Sequence, residues 1–494
     1  MLKKALERLQ PDYQRLSQGS VFIIFFLLSF FIRLPFFFRD YIDRDESTFI
    51  LVAQSWVEGH LPYTELWDLK PPLVYFFFAS VIWIFGKSFI AIRLLGVLAV
   101  AGTAFFSYRI GRQLNGTKTG LWAGIGTIYL LSLFGSLQGV MSEHLSMLFF
   151  MPGIFLLMQR YRPRTVLLSG ICLGIALMTK LNLAYAVILL GLFFTYDSWR
   201  SAGWKRAIGS GMLLGSGIIL IIITTYLPYW HDGQGALWWD SVFKAPLAYS
   251  EHKKRSLLTF LPILIILGTF LYPSFKNGWL KAKQQGTLLL VISLIGILFS
   301  FMKVGRINGH YLIQFHPLFL VLLSVVISRS IPNPGSWGRK LLLLLLLLLP
   351  VESYLEYTAI IKHKIEKGSF FNGEGISVPN WLEEKGLTEQ STLFLEYHIG
   401  YWQTGQLPPT KSATHPSNLC RAELFPHYNN PRATAMEELR FVMDSLRPQI
   451  VVVRRGKPIF DKELLEENEY MQTFLNIHYR VIGSVEGADI LQRQ

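Results

Sequence analysis

Two adjacent carboxylates, Asp45 and Glu46, end a polar stretch Asp43-Arg44-Asp45-Glu46 that follows a very apolar segment, Val21 to Phe38. Further on, Trp67-Asp68-Leu69-Lys70-Pro71-Pro72-Leu73 opens a second apolar segment that runs to Phe85. A pair of neighbouring carboxylates can keep one group ionised as a general base while the other binds a hydroxyl or a cation. Acids at a membrane edge are costly to keep near lipid, which makes them candidates for a functional site. The same residues also suit the start of an interfacial helix, with Asp45 as its N-cap and Glu46 favouring the helix dipole. The two roles are compatible. Lys70 places a fixed cation at the membrane surface, suited as a point charge to a lipid phosphate. It could equally be a lysine that snorkels out of the apolar layer.

Other polar residues fall at the ends of apolar runs. Glu143 and His144 have no metal-ligand partner three or four residues away, so the spacing signals no zinc site. Lys303, Arg306, Asn308, His310 and Tyr311 stand together between two apolar runs, and the two cations suggest an anionic ligand. Lys180 and Asn182 occupy a similar boundary. Trp238 and Trp239 fit an interfacial aromatic belt, with sugar stacking as the alternative. No phosphate-binding glycine loop, dinucleotide fingerprint, zinc-protease motif or nucleophile elbow is present.

The elements that must position these residues are membrane helices. Of 494 residues, 51% are hydrophobic, and apolar runs recur over the first ~350 residues. Lys3, Lys4, Arg8 and Arg15 precede the first run, which lacks a small-residue cleavage site and reads as a retained span. The net charge of +14 sits largely in short loops between spans, so it indicates sidedness and not nucleic acid. If 71–86 lies along the interface, the loops holding Arg109/Arg112/Lys118, Arg160/Arg162/Arg164, Arg200/Lys205/Arg206, Lys276/Lys281/Lys283 and Arg339/Lys340 share the side of the basic N-terminus. The positive-inside rule therefore predicts a polytopic α-helical membrane protein of about eleven transmembrane helices within residues 1–354. Pro71-Pro72 suits the start of an interfacial helix. Asp45, Glu46, Asp68, Lys70, Glu143, His144, the loop Trp230–Arg255, Arg306 and His310 then share the outer face.

Residues 355–494 hold no spanning segment. Strand-like runs at Thr392–Tyr397, Gln449–Val453 and Tyr479–Ser484 alternate with helical patterns. This predicts a small extracytoplasmic α/β domain. Thr434 and Glu437 read as a capping box for a helix ending near Leu446, and Asp461 as the cap of a helix through Leu465. Cys172 lies in an apolar run and Cys420 in the tail, and they are not expected to pair.

These motifs resemble a known family. The series runs from Asp45-Glu46 through Gly59-His60-Leu61-Pro62-Tyr63 and Trp67-Asp68-Leu69-Lys70-Pro71-Pro72-Leu73 to Phe85-Gly86-Lys87-Ser88 and Gly111-Arg112-Gln113-Leu114-Asn115-Gly116. It is similar to the GT-C membrane glycosyltransferases of the protein O-mannosyltransferase and lipid A aminoarabinose transferase group (glycosyltransferase family 39 and bacterial relatives). The later Gly305-Arg306, His310-Tyr311 and Pro317 resemble a pattern of the bacterial members. The resemblance implies an inverting transferase at the outer membrane face, moving a sugar from a polyprenyl-phosphate carrier to a glycan, lipid or protein acceptor. By that resemblance Asp45 is the base, Lys70 lies near the carrier phosphate, and Glu143 corresponds approximately to a further acidic position. Phe49 stands where many relatives carry tyrosine. A lipid phosphate is a good leaving group, so no metal or other cofactor is obligatory, and a role for a divalent ion stays open. The alternative reading is a transporter or flippase of lipid-linked saccharides, for which inverted repeats and mid-membrane ionisable residues would be expected.

Overall fold

The computed structural model describes residues 16–40, 43–159, 162–252, 257–304, 308–331 and 336–494. Among these, seven helices are long and apolar enough to cross a membrane: Gln18–Phe38, Phe89–Asn115, Leu181–Ala202, Trp204–His231, Gln285–Lys303, Gly309–Ser330 and Leu344–Lys367. Four shorter apolar helices, Pro72–Phe85, Ser142–Leu157, Pro163–Thr179 and Leu261–Lys276, accompany them. Local chemistry sets several of the ends. Ser17 caps the first helix by accepting from the Ser20 amide at 3.0 Å, and Ser88 caps the Phe89–Asn115 helix through Ala91. Pro72 occupies the first position of its helix, where its missing N–H costs nothing. That helix leaves Phe76, Trp83, Ile84 and Phe85 exposed.

Small residues let the helices approach closely. A Cβ on Gly170 would lie 2.3 Å from the Leu214 carbonyl, so the Pro163–Thr179 and Trp204–His231 helices meet backbone to backbone only because it is absent. At one end of the bundle the basic connections converge. Gln113, Arg206, Lys281, Lys283 and Arg329 share one cavity there.

The opposite end carries the C-terminal unit. The last long helix continues past residue 354 to Lys367, so the change of composition near 355 falls inside a helix. Beyond it a mixed four-stranded sheet forms from β1 (Thr392–Phe394), β2 (Ile450–Arg454), β3 (Tyr479–Val485) and β4 (Ala488–Arg493), in the order β1-β2-β4-β3. β1 and β2 are parallel, and the other pairs are antiparallel. The first three strands lie where the sequence pattern places them, and β4 is additional. Thr434 caps its helix through the Glu437 amide. Asp461 does not cap: the next helix begins at Leu465, and the Asn468 side chain bonds the carbonyls of Asp461 and Leu464.

This unit is packed into the membrane portion and is not tethered beside it. One buried core joins Phe49, Trp67 and Tyr75 to Trp402, Leu419 and Tyr428. Trp67 meets the Tyr428 ring edge-on at 4.7 Å and donates from Nε1 to Ser241 at 2.9 Å.

Candidate active site

The acidic helix Arg44–Val57 starts at Asp43, whose side chain accepts from the Asp45 amide at 2.9 Å. Asp43, and not Asp45, is therefore the N-cap, which leaves the Asp45 carboxylate available to the interior. Successive helical residues point about 100° apart, so the adjacent acids part company. Glu46 turns into the protein, 1% exposed, onto Arg93 Nη2 at 2.7 Å and the Val140 amide at 2.7 Å. Arg33 donates to the carbonyls of Leu131, Leu137, Gln138 and Gly139 beside it. These buried arginines and Glu46 lock the 131–140 connection onto the acidic helix.

Asp45 lines a cavity of about 400 Å³ and is the one acidic residue doing so among the described residues. Four cations share the lining: Lys70, Lys180, Lys303 and Arg421. Further polar side chains, among them His310, Tyr311, Asn308 and Asn182, line it too, alongside apolar ones such as Ile188 and Phe243. Lys70 Nζ stands 3.1 Å from Asp45 Oδ2. The opposite oxygen, Oδ1, is 3.6 Å from His415 Nε2. Burial works against the Asp45 carboxylate, but Lys70, His415 and His310 outweigh it and hold it well below the usual carboxylate range. Burial likewise opposes the Lys70 charge, and Asp45 and Asp68 overcome it, so this ammonium is firmly protonated.

The other candidates have definite places. Asp68 is buried and accepts from the Tyr75 hydroxyl at 3.1 Å, outside the cavity lining. Glu143 stands behind the cavity wall, 2.6 Å from Lys180 Nζ and 4.0 Å from His310 Nε2. Lys180 also sits over the Tyr311 ring at 5.2 Å. His144 takes the Met141 amide on Nδ1 and faces the Leu131 carbonyl through Nε2 at 2.8 Å, a structural arrangement at the start of its helix. Arg306 and Arg255 lie outside the described residues. Trp238 is buried against Tyr226 and Phe243, and Trp239 is exposed. Among the described residues no group of three histidine, cysteine or acidic side chains could hold a metal ion.

Sequence reading missed the contribution of the C-terminal unit. Arg421 reaches the cavity with its guanidinium 5.2 Å from the Tyr249 ring centre. Arg44 forms a two-pronged ion pair with Glu396, one prong at 3.1 Å. Thr48 bonds His398 at 2.9 Å. The first turn of the acidic helix is thus held from the far end of the chain. No local pattern marks these partners, because the pairing spans more than 300 positions.

Part of the sequence and the whole fold resemble known proteins. Residues 69–230 match the profile of the dolichyl-phosphate-mannose-protein mannosyltransferase family, starting at the Leu69-Lys70-Pro71-Pro72 motif. The resemblance to GT-C membrane glycosyltransferases is borne out. Among particular relatives, the chain is similar to the undecaprenyl phosphate-α-4-amino-4-deoxy-L-arabinose arabinosyl transferase of Pseudomonas aeruginosa, strain UCBPP-PA14. The two are 23% identical over 300 residues, 57% of this chain and 54% of the relative, so the match spans about half the relative's length. The apo structure of ArnT from Cupriavidus metallidurans superposes with a TM-score of 0.63 at 14% identity, covering 96% of this chain and 97% of that one. The same protein bound to undecaprenyl phosphate gives a TM-score of 0.56 at 13% identity, over 96% and 97% of the two chains. The apo oligosaccharyltransferase of Archaeoglobus fulgidus gives 0.52 at 11% identity, covering 90% of this chain and 70% of that one. The protein is an integral membrane protein with the ArnT fold.

Proposed function

We propose that the chain is an inverting glycosyltransferase that moves a sugar from a polyprenyl-phosphate carrier to an acceptor at the outer membrane face. The observation that carries this reading is one carboxylate, Asp45, which among the described residues shares a cavity with four cations at the end of the bundle opposite the basic connections. Asp45 takes the proton of an acceptor hydroxyl or amine as that group attacks the anomeric carbon. The bond from that carbon to the carrier phosphate oxygen breaks, and its electron pair stays on the phosphate. Lys70, Lys180, Lys303 and Arg421 stabilise the negative charge developing there, and such stabilisation is often the largest catalytic contribution. The apolar part of the lining suits a lipid-linked donor. About eleven crossings with an interfacial Pro72–Phe85 helix belong to this reading, since they put the cavity on the outside.

The test is turnover of undecaprenyl-phosphate-linked mannose, glucose and 4-amino-4-deoxy-arabinose by purified full-length protein, followed by carrier release. Asp45→Asn keeps the shape of the side chain and removes its basicity. Turnover should fall about 10²-fold or more while undecaprenyl phosphate binding survives. Full activity in Asp45→Asn would end the mechanism.

A further inference from the structure

We propose that His415, carried by the C-terminal unit, is a positioning residue for Asp45: its Nε2–H faces Oδ1 while the Lys70 ammonium holds Oδ2, fixing the carboxylate plane toward the acceptor. The inference rests on the base role given to Asp45 above and adds a second domain to the site. The tautomer follows from the hydrogen bonding. The Ser417 amide donates to His415 Nδ1 at 3.1 Å, and a backbone N–H can only donate. Nδ1 is therefore the bare nitrogen, and the proton of the neutral ring sits on Nε2, 3.6 Å from Asp45 Oδ1. The ring has little freedom to turn away. It is 4% exposed, it caps the short helix Pro416–Cys420, and it packs at 5.7 Å against the His398 ring. His398 is itself tied to Thr48, one turn along the acidic helix from Asp45. Ser417, next but one, accepts from Arg44 at 3.4 Å.

A donor facing one oxygen and an ammonium on the other do two things. They favour the ionised carboxylate, and they bias its rotation about the Cβ–Cγ bond toward one setting. A base held in the productive geometry is worth a great deal, since a misplacement of 1 Å can cost about 10²-fold in rate. Asp45 is faced by Asp43 from its own cap, by Lys70 from the loop before the Pro72–Phe85 helix, by His310 and Tyr311 from the start of the Leu312–Ser330 helix, and by His398 and His415 from the C-terminal unit. His415 and Lys70 are the two of these for which the structure gives an atom within 4.0 Å of the carboxylate oxygens.

Two substitutions separate positioning from mere packing. His415→Asn keeps an acceptor for the Ser417 amide but withdraws the donor from Asp45. His415→Gln returns an N–H at about the reach of Nε2. The full-length protein in detergent is treated with a hydrophobic carbodiimide, which modifies protonated carboxyls. Asp45 modification is then read by mass spectrometry against pH on the monodisperse fraction. In His415→Asn, Asp45 should become modifiable at higher pH than in the wild type, and kcat on the best undecaprenyl-phosphate sugar of the panel should drop about 10- to 10²-fold with KM near wild type. His415→Gln should recover most of both. A His415→Asn protein with unchanged labelling and unchanged kcat overturns the proposal, even if Asp45→Asn is inactive. An Asp45→Asn protein with full turnover defeats the reading of Asp45 as base. A labelling shift alongside it would still uphold the contact of His415 with the carboxylate.

Discussion

Asp45 and Glu46 are neighbours in the chain with opposite assignments in space. Both could carry chemistry by residue type, and only the direction of each helical side chain separates them. Glu46 and Arg93 form a fully buried pair, and losing one partner of such a pair costs about 3–5 kcal/mol. Glu46→Ala should therefore lower the melting temperature in detergent strongly, while the surviving folded protein keeps most of its turnover per molecule. Asp45 behaves differently with pH. Its carboxylate is held well below the usual range, chiefly by Lys70 against the effect of burial. Activity that needs the ionised base is present above the folded pKa of Asp45 and fails as pH falls through it. The wild-type kcat/KM profile should thus stay flat through the ordinary carboxylate range. Lys70→Met removes the strongest opposing charge and leaves burial in place, so the acidic limb should move to higher pH. A limb unmoved in Lys70→Met would show that this ammonium does not act on the base. At this scale Asp45, Lys70, His310 and Tyr311 were legible as a group, because polar residues at apolar boundaries stand out. The separate duties of Asp68 and His144 were not, since a bond to Tyr75 or to a carbonyl leaves no mark in composition.

The helices and most strands were legible from apolar runs and alternation. β4 was not, although Glu486-Gly487 offered a turn signal: Glu486 has φ 51° and starts the hairpin between β3 and β4. Joints between elements were the hardest to foresee. The chain returns from the last long helix to the first at Asn372, whose amide donates to the Phe38 carbonyl at 2.9 Å and whose carbonyl accepts from Asp40 at 3.2 Å. Gly373 follows with φ 110°, and a Cβ there would fall 1.7 Å from Asp40 Oδ1. Both the backbone and the space demand glycine. Gly373→Ala should cost about 1–3 kcal/mol from the backbone conformation alone, visible as a lower midpoint in a thermal aggregation assay. A midpoint unchanged from wild type would mean that this joint does not limit stability.

Across the whole molecule, basic connections gather at one end and the Asp45 cavity with the C-terminal unit at the other. The charge pattern made this sidedness legible, because loop lysines and arginines report orientation without any knowledge of packing. Impermeant thiol labelling of intact cells checks it, in a background with Cys172 and Cys420 replaced by serine. Lys462→Cys, on the exposed surface of the C-terminal unit, should label, and Lys118→Cys should label only after lysis. The reverse pattern would turn the protein over in the membrane. What no charge count could reveal is that His415 faces Asp45 on a helix that begins at Arg44, and that Arg421 lines the same cavity. That separation has a consequence for the order of events in the cell. A ribosome that has delivered every membrane helix has still not delivered these two side chains. The carboxylate therefore stands without its distant partners until translation has passed residue 421. During that interval the growing chain can meet its lipid but lacks the finished pocket, so maturation of the site is timed by synthesis itself.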